Sequence, residues 1–197
     1  GYPDKAPFNK LNRNYNNTGF NNRSFGILES NDVDPVRYFG NIVKNNIVYQ
    51  NLNCGGTAVA DLVNNNVNAN IFTNNSTTEP LFVDENQRDL HLRPESSMID
   101  ASVVLTTTQG AGSGTALRVA DPGYFFDGYD IQGESGDTIQ LSGQTITAKI
   151  LSIDRVNKIL NLDQSLSWSD QQGVYLLYNG TAMDRGAFEY EATGGAL

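Results

Sequence analysis

Two groups of side chains have the types and spacing to do chemistry. The stretch PGYFFDGYD (122–130) holds Tyr124, Phe125, Phe126 and Tyr129 beside Asp127, Gly128 and Asp130, and a single tryptophan, Trp168, follows in SWSDQQG. Aromatic rings on loops stack against sugar rings while neighbouring carboxylates accept from hydroxyls. Tyr124, Phe126, Tyr129 and Trp168 are therefore the candidate ligand-binding residues. A core role for Phe125, Phe126 and Trp168 competes with this, because a small β module needs its large side chains inside. The second group is Asp84, Asn86 and Asp89, whose oxygen spacing suits a calcium loop and makes Ca2+ the one candidate cofactor. It lacks the glycine and bidentate glutamate of an EF-hand, and Asx residues also build plain turns. His91, the only histidine, invites an acid–base or metal role. Nothing else resembles a nucleophile–base pair or a metal cluster, so no catalytic residue is assigned.

Composition excludes several partners. A formal net charge of −9 argues against nucleic acid, whose phosphates call for Lys and Arg, and against anionic membrane surfaces. No apolar run approaches the roughly 20 residues of a membrane-spanning helix, so membrane insertion is not expected. One cysteine, Cys54, rules out an internal disulfide. The start, GYPDKAPFNK, has no basic-then-apolar leader, which fits a cytoplasmic protein or a mature, trimmed or excised piece. Five N-x-S/T sequons, at Asn16, Asn22, Asn74, Asn75 and Asn179, arise easily by chance in so asparagine-rich a chain.

The elements that position these residues divide at about residue 102. Of 24 asparagines, 21 fall within residues 1–86. The pieces GILESN (26–31), NIVYQN (46–51) and NIFTNN (70–75) align Ile27, Ile47 and Ile71, and Asn31, Asn51 and Asn75, at offsets of 20 and 24. Short β-branched strands ending in asparagine predict stacked parallel β-coils, since one coil cannot bury its own apolar face. Asparagine suits the corners because it tolerates left-handed backbone and can bond to the coil above. The one short helix expected is DPVRYF (34–39), with Asp34 before Pro35.

Two segments carry a family resemblance. EPLFVDENQRDLHLRPESSMIDAS (79–102) resembles the last coil of secreted bacterial right-handed parallel β-helix proteins, and DRGAFEY (184–190) resembles their closing strand. With the upstream coils the resemblance covers residues 20–102 and 184–190, a little under half the chain. It implies a protein that is secreted or at the bacterial cell surface, with a pectin-lyase-like fold. It gives His91 a structural place in a strand, and sets Asp100, Asp184 and Glu189 to bond backbone amides at the end of the stack.

Between the two segments the pattern changes to alternation. TALRVAD (115–121), DTIQLSG (137–143), QTITAKILSID (144–154), KILNLDQSL (158–166) and GVYLLYNG (173–180) read as five strands, with turns at SGQ (142–144) and DRVNK (154–158). The expected fold is all-β: right-handed parallel β-helix coils over 1–102, a small antiparallel β-barrel or sandwich module inserted at 103–183, a closing strand at 184–190 and a tail at 191–197.

Two functions follow from this reading. One is a carbohydrate-recognition scaffold at the cell surface, without its own catalytic centre, whose partner is a polysaccharide or cell-surface glycan. The other is part of a polysaccharide lyase or glycoside hydrolase whose catalytic coils lie partly or wholly outside this chain. Arg23, Arg37 and Lys44 would then be candidate bases, with Glu29, Asp32, Asp34 and Asp61 as candidate calcium ligands. Whether the module binds or only spaces stays open. So does the open first coil, which needs a preceding domain, a partner chain or a local cap from residues 2–15.

Overall fold

The computed structural model describes residues 9–29, 38–64 and 70–191. Among them there is no α-helix, and the fold is all-β. Two compact units form, one from residues 1–102 and 184–197, the other from 103–183.

The first unit is a set of short parallel strands. They are β1 (Asn9–Lys10), β2 (Arg13–Tyr15), β3 (Thr18–Phe20), β4 (Ile27–Glu29), β5 (Tyr38–Phe39), β6 (Ile42–Lys44), β7 (Ile47–Tyr49), β8 (Leu62–Asn64) and β9 (Ile71–Thr73). The ladders are β1–β5, β2–β6–β9, β3–β7 and β4–β8, so each repeat lies beside the next. Left-handed backbone recurs every fifth residue: at Leu11, Asn16 and Asn21, then Gly40, Asn45 and Gln50, then Asn74. An asparagine follows each of these corners.

Those following asparagines form ladders at a spacing of 29 residues. Each Oδ1 accepts from both the backbone N–H and the side-chain amide of the asparagine one repeat earlier. Asn12 donates to Asn41 at 3.0 and 3.1 Å, Asn17 to Asn46 at 2.8 and 3.0 Å, and Asn22 to Asn51 at 3.1 and 2.7 Å. Asn46 passes the same pair to Asn75 at 3.1 and 2.8 Å. The third ladder ends differently: both donors of Asn51 converge on the carboxylate of Asp61, at 2.6 and 2.9 Å. The first ends at Asn70, whose Oδ1 takes the Asn41 N–H at 3.2 Å while its buried Nδ2 has no partner.

This corrects the expected alignment of strands. Ile27, Ile47 and Ile71 do not stack: Ile27 faces Leu62, Ile47 faces Thr18 and bridges to Ser76, and Ile71 faces Ile42. Several sides of one repeat begin with isoleucine, so matching strands alone paired different sides. The corners carry the true period. In the expected helix at 34–39, Tyr38–Phe39 is strand β5, and residues 34–37 lie outside the described residues, as do Asp32 and Arg37.

Adjacent residues of β7 face opposite ways, and both sides are buried. Val48 joins Ile27 and Val43 in one core, with Leu62 and Phe72 against it. Ile47 joins Phe82, Leu92 and Met98 in another, with Phe20, Tyr49, Leu90 and Ile99. The second core is supplied by the antiparallel hairpin β10 (Phe82–Asp84) and β11 (Asp89–Leu92). Burying each such side chain is worth about 1.5–3 kcal/mol.

Residues 184–190 form no strand, contrary to the expected closing strand. They lie as a strap over the asparagine corners. Arg185 N–H donates to Met98 O at 2.9 Å, Gly186 N–H to Asn45 O at 2.9 Å, and Ala187 N–H to Thr18 Oγ1 at 3.0 Å. Gly186 has φ +99, and a Cβ there would lie 2.7 Å from both Ile47 Cδ1 and Thr18 Oγ1, so the strap requires glycine.

The second unit is a six-stranded antiparallel sheet curled into a half-barrel. Its strands are β12 (Thr106–Thr107), β13 (Gly112–Arg118), β14 (Thr138–Leu141), β15 (Thr147–Asp154), β16 (Ile159–Trp168) and β17 (Gly173–Leu176), ordered β12-β17-β14-β15-β16-β13. The edge strands approach where Gln109 N–H donates to Arg118 O and Ala120 N–H to Thr107 O, both at 2.8 Å. The five expected strands are present, and β12 adds a short sixth. Leu117, Val119, Ile139, Leu141, Ile150, Leu160 and Val174 fill the interior.

Asn46 is fully buried, accepts twice and donates twice through its side chain. Asn46→Ala should therefore lower the unfolding free energy by about 3–5 kcal/mol, read as a fall in the urea midpoint at unchanged slope.

Candidate functional site

The candidate site is built on the loop between β13 and β14. Asp121 caps a single 3-10 turn (Pro122–Tyr124), its side chain accepting from Gly123 N–H. That turn drives Tyr124 and Phe125 into the interior. The chain then emerges. Phe126 N–H donates to the Asp137 carboxylate at 2.8 Å, and Asp137 N–H returns to Phe126 O at 2.9 Å, closing the loop base. Burial holds the Asp137 carboxyl above the usual carboxylate range, although the Phe126 N–H pulls the other way.

The loop lies along the part of β15 that β14 leaves unpaired. Ile150 N–H donates to Asp137 O at 2.8 Å, and Ile153 N–H to the Asp127 side chain at 3.0 Å. A Cβ at Gly136 would fall 2.0 Å from Ile150 O, so only glycine permits this approach.

At the tip, Gly128, Tyr129 and Asp130 are successively left-handed, with φ of 89, 45 and 57. For a tyrosine this costs about 1–2 kcal/mol. Three contacts hold it. Arg155, from the β15–β16 turn, donates to Tyr129 Oη at 3.0 Å, and its Cζ lies 5.4 Å from the ring centre. Phe126 meets the ring edge-on at 5.1 Å. The side chain nevertheless stays 60% exposed. The result is a fixed, outward-facing ring with a guanidinium at its hydroxyl. Around it the segment 121–137 carries Asp121, Asp127, Asp130, Glu134 and Asp137, and no Lys or Arg.

Of the four aromatic candidates, Phe126 and Tyr129 come together, while Tyr124 belongs to the interior. Trp168 is elsewhere. It ends β16, half-buried over Gly112, where an added Cβ would lie 3.1 Å from the indole Cζ2, whereas Arg155 precedes the start of that strand. At about 3.3 Å per residue the length of β16 spans up to roughly 30 Å, so Trp168 and Tyr129 do not share a site. Arg155 was not visible as a partner in the sequence, because it reaches Tyr129 only through the β15–β16 turn.

The oxygen ligands proposed for calcium are committed to the hairpin. Asp84 Oδ1 accepts from Asn86 N–H at 3.0 Å and Gln87 N–H at 3.1 Å, an Asx turn that joins β10 to β11. Asp89 Oδ1 lies 2.6 Å from His91 Nδ1 and also accepts the His91 N–H. This partner holds the Asp89 carboxyl below its usual range. His91 in turn packs on Phe188 of the strap, ring centres 4.5 Å apart. Among the described residues no group of three or more His, Cys, Asp or Glu is placed to hold a metal ion. Asp61 is taken up by Asn51, and Lys44 lies in β6 beside Tyr15 and Thr73.

Asp184 is the most buried carboxylate of the first unit among the described residues. It accepts from Asp100 N–H at 2.7 Å and Tyr190 N–H at 2.5 Å, and Glu189 accepts the Asp184 N–H at 2.9 Å. Asp184 and Glu189 thus bind backbone amides, while Asp100 contributes its N–H. Arg185 reaches Asn74 Oδ1 at 2.7 Å and Ala101 O at 3.3 Å. These groups hold the strap in place.

Comparison with protein-family models, curated proteins and solved structures finds no match for this chain.

Asp184→Ala should cost about 3 kcal/mol in urea denaturation, because two N–H groups lose a charged acceptor. The Asp89 carboxyl, depressed below its ordinary 3.8, contributes stability above that value and loses it as pH falls through the lowered one. In an NMR titration its midpoint should rise in His91→Ala; an unmoved midpoint would refute the pairing.

Proposed function

We propose that the parallel repeats wind as a right-handed β-helix, and that the chain is an exported cell-surface scaffold whose inserted module recognises carbohydrate through Tyr129. The parallel registers, five-residue corners and asparagine ladders support the helical winding, since such repeats stack only on one another and parallel crossovers run right-handed. One observation carries the function: an exposed tyrosine is held in unfavourable backbone geometry, with its hydroxyl fixed by Arg155. Such a ring offers a face for sugar C–H groups at little ordering cost, while Asp130 and Arg155 stand ready for hydroxyls. The acidic rim favours uncharged sugars over uronates.

The enzyme reading has its own observation. Alternation about the buried Val43 turns Ile42 and Lys44 outward from β2–β6–β9, where Tyr15, Lys44 and Thr73 stand side by side. This would be the face for a lyase or hydrolase completed by coils outside the chain. Recognition, carried by the fixed and exposed ring of Tyr129, remains the better-supported function.

Titration calorimetry against neutral and uronate polysaccharides, with and without calcium, tests the reading. Tyr129→Ala should weaken binding to a neutral glycan about tenfold, equivalent to roughly 1.4 kcal/mol, and Trp168→Ala should leave it unchanged. Binding that depends on Trp168 but not Tyr129, or no binding to any glycan, would remove the proposal.

A further inference from the structure

We infer that Asn179 is a site of spontaneous covalent modification, at which this asparagine-rich chain deamidates. The reaction needs a backbone nitrogen able to attack the preceding side-chain amide. Asn179–Gly180 is the only Asn–Gly pair among the 24 asparagines. Glycine places no side chain in the path of that attack. Both residues are exposed, in the bend after β17, and Gly180 has φ +85. Its N–H donates to no group among the described residues.

The corner asparagines are held the opposite way. The nitrogens following Asn16, Asn21 and Asn45 belong to Asn17, Asn22 and Asn46, and each donates to the next rung of a ladder, at 2.8, 3.1 and 3.1 Å. An attacking nitrogen would have to break that bond and leave a rung empty. The hydrogen bonds that build the repeats therefore also keep their amides intact.

At Asn179 the Gly180 nitrogen, after losing its proton to water or hydroxide, attacks Cγ. A C–N bond forms, the Cγ–Nδ2 bond breaks, and ammonia leaves with a proton taken from water. One water then opens the five-membered imide at either carbonyl, giving aspartate or isoaspartate. Each adds a negative charge, and isoaspartate also lengthens the backbone by one carbon between β17 and the strap.

The test is peptide mapping by mass spectrometry of the full chain incubated at mildly alkaline pH, folded and in urea. In the folded protein the Asn179 peptide should convert ahead of every other asparagine peptide, and Gly180→Ala should abolish that lead. In urea the peptides carrying Asn16, Asn21 and Asn45 should speed up, while Asn179 changes little. Corner asparagines that keep pace with Asn179 in the folded chain would overturn the inference. So would an Asn179 rate untouched by Gly180→Ala.

Discussion

The first unit depends on an exchange of hydrogen bonds between asparagines one repeat apart. Each corner turns through a left-handed residue, and the asparagine after it exchanges side-chain hydrogen bonds with a neighbouring repeat, fully buried at Asn41, Asn46 and Asn51. A buried amide without partners costs more than the bond itself is worth, so each repeat is conditional on its neighbour. The apolar contacts are secondary in specifying register. Val43 and Val48 would tolerate a small slide along the strands, but a slide would strand the rungs at Asn41, Asn46 and Asn51. Hydrophobic burial supplies much of the driving force, and the ladder selects which arrangement receives it.

The inserted module solves a different problem, that of fixing one exposed ring. Its interior combines aliphatic side chains with the buried rings of Tyr124, Phe125, Tyr175 and Tyr178, and the loop from Asp121 to Asp137 is ordered by carboxylates that accept backbone N–H groups: Asp121 at Gly123, Asp137 at Phe126 and Asp127 at Ile153. Acidic side chains that looked like ligand-binding equipment are in large part the loop's own scaffolding. The Asp130 carboxylate makes no such bond among the described residues. The same economy holds in the hairpin, where Asp84 and Asp89 serve turn and strand.

Much of the architecture could be read in the amino-acid order. The alternation in 144–154 and 158–166 marks β15 and β16 because buried and less buried residues alternate along part of each strand. The parallel repeats were visible in composition but misaligned, since Ile27, Ile47 and Ile71 mark different sides of the unit. The dipeptides at 16–17, 45–46 and 74–75 carried the correct 29-residue spacing all along, as pairs of a left-handed residue and a rung. The strap was misread for a related reason. Its DRGAFEY pattern supplies a carboxylate, a glycine and an aromatic at useful positions, and those contacts are made without ladder pairing. Pairings such as Arg155 with Tyr129 were beyond local pattern, because they join segments that only the curled sheet brings near.

Neighbouring asparagine columns run in opposite directions. Along the rungs Asn17 donates to Asn46 and Asn46 to Asn75, while in the corner column beside them Asn74 donates back to Asn45 and Asn45 to Asn16, so the two rows of amide dipoles oppose one another. Partial positive charge therefore gathers at the last donor of each column separately, and for the rung from Asn22 to Asn51 that donor is Asn51. Asp61 stands at the positive terminus of one column, where a full negative charge is most welcome, and a lysine at that position would face the column's field as well as lose its hydrogen bonds.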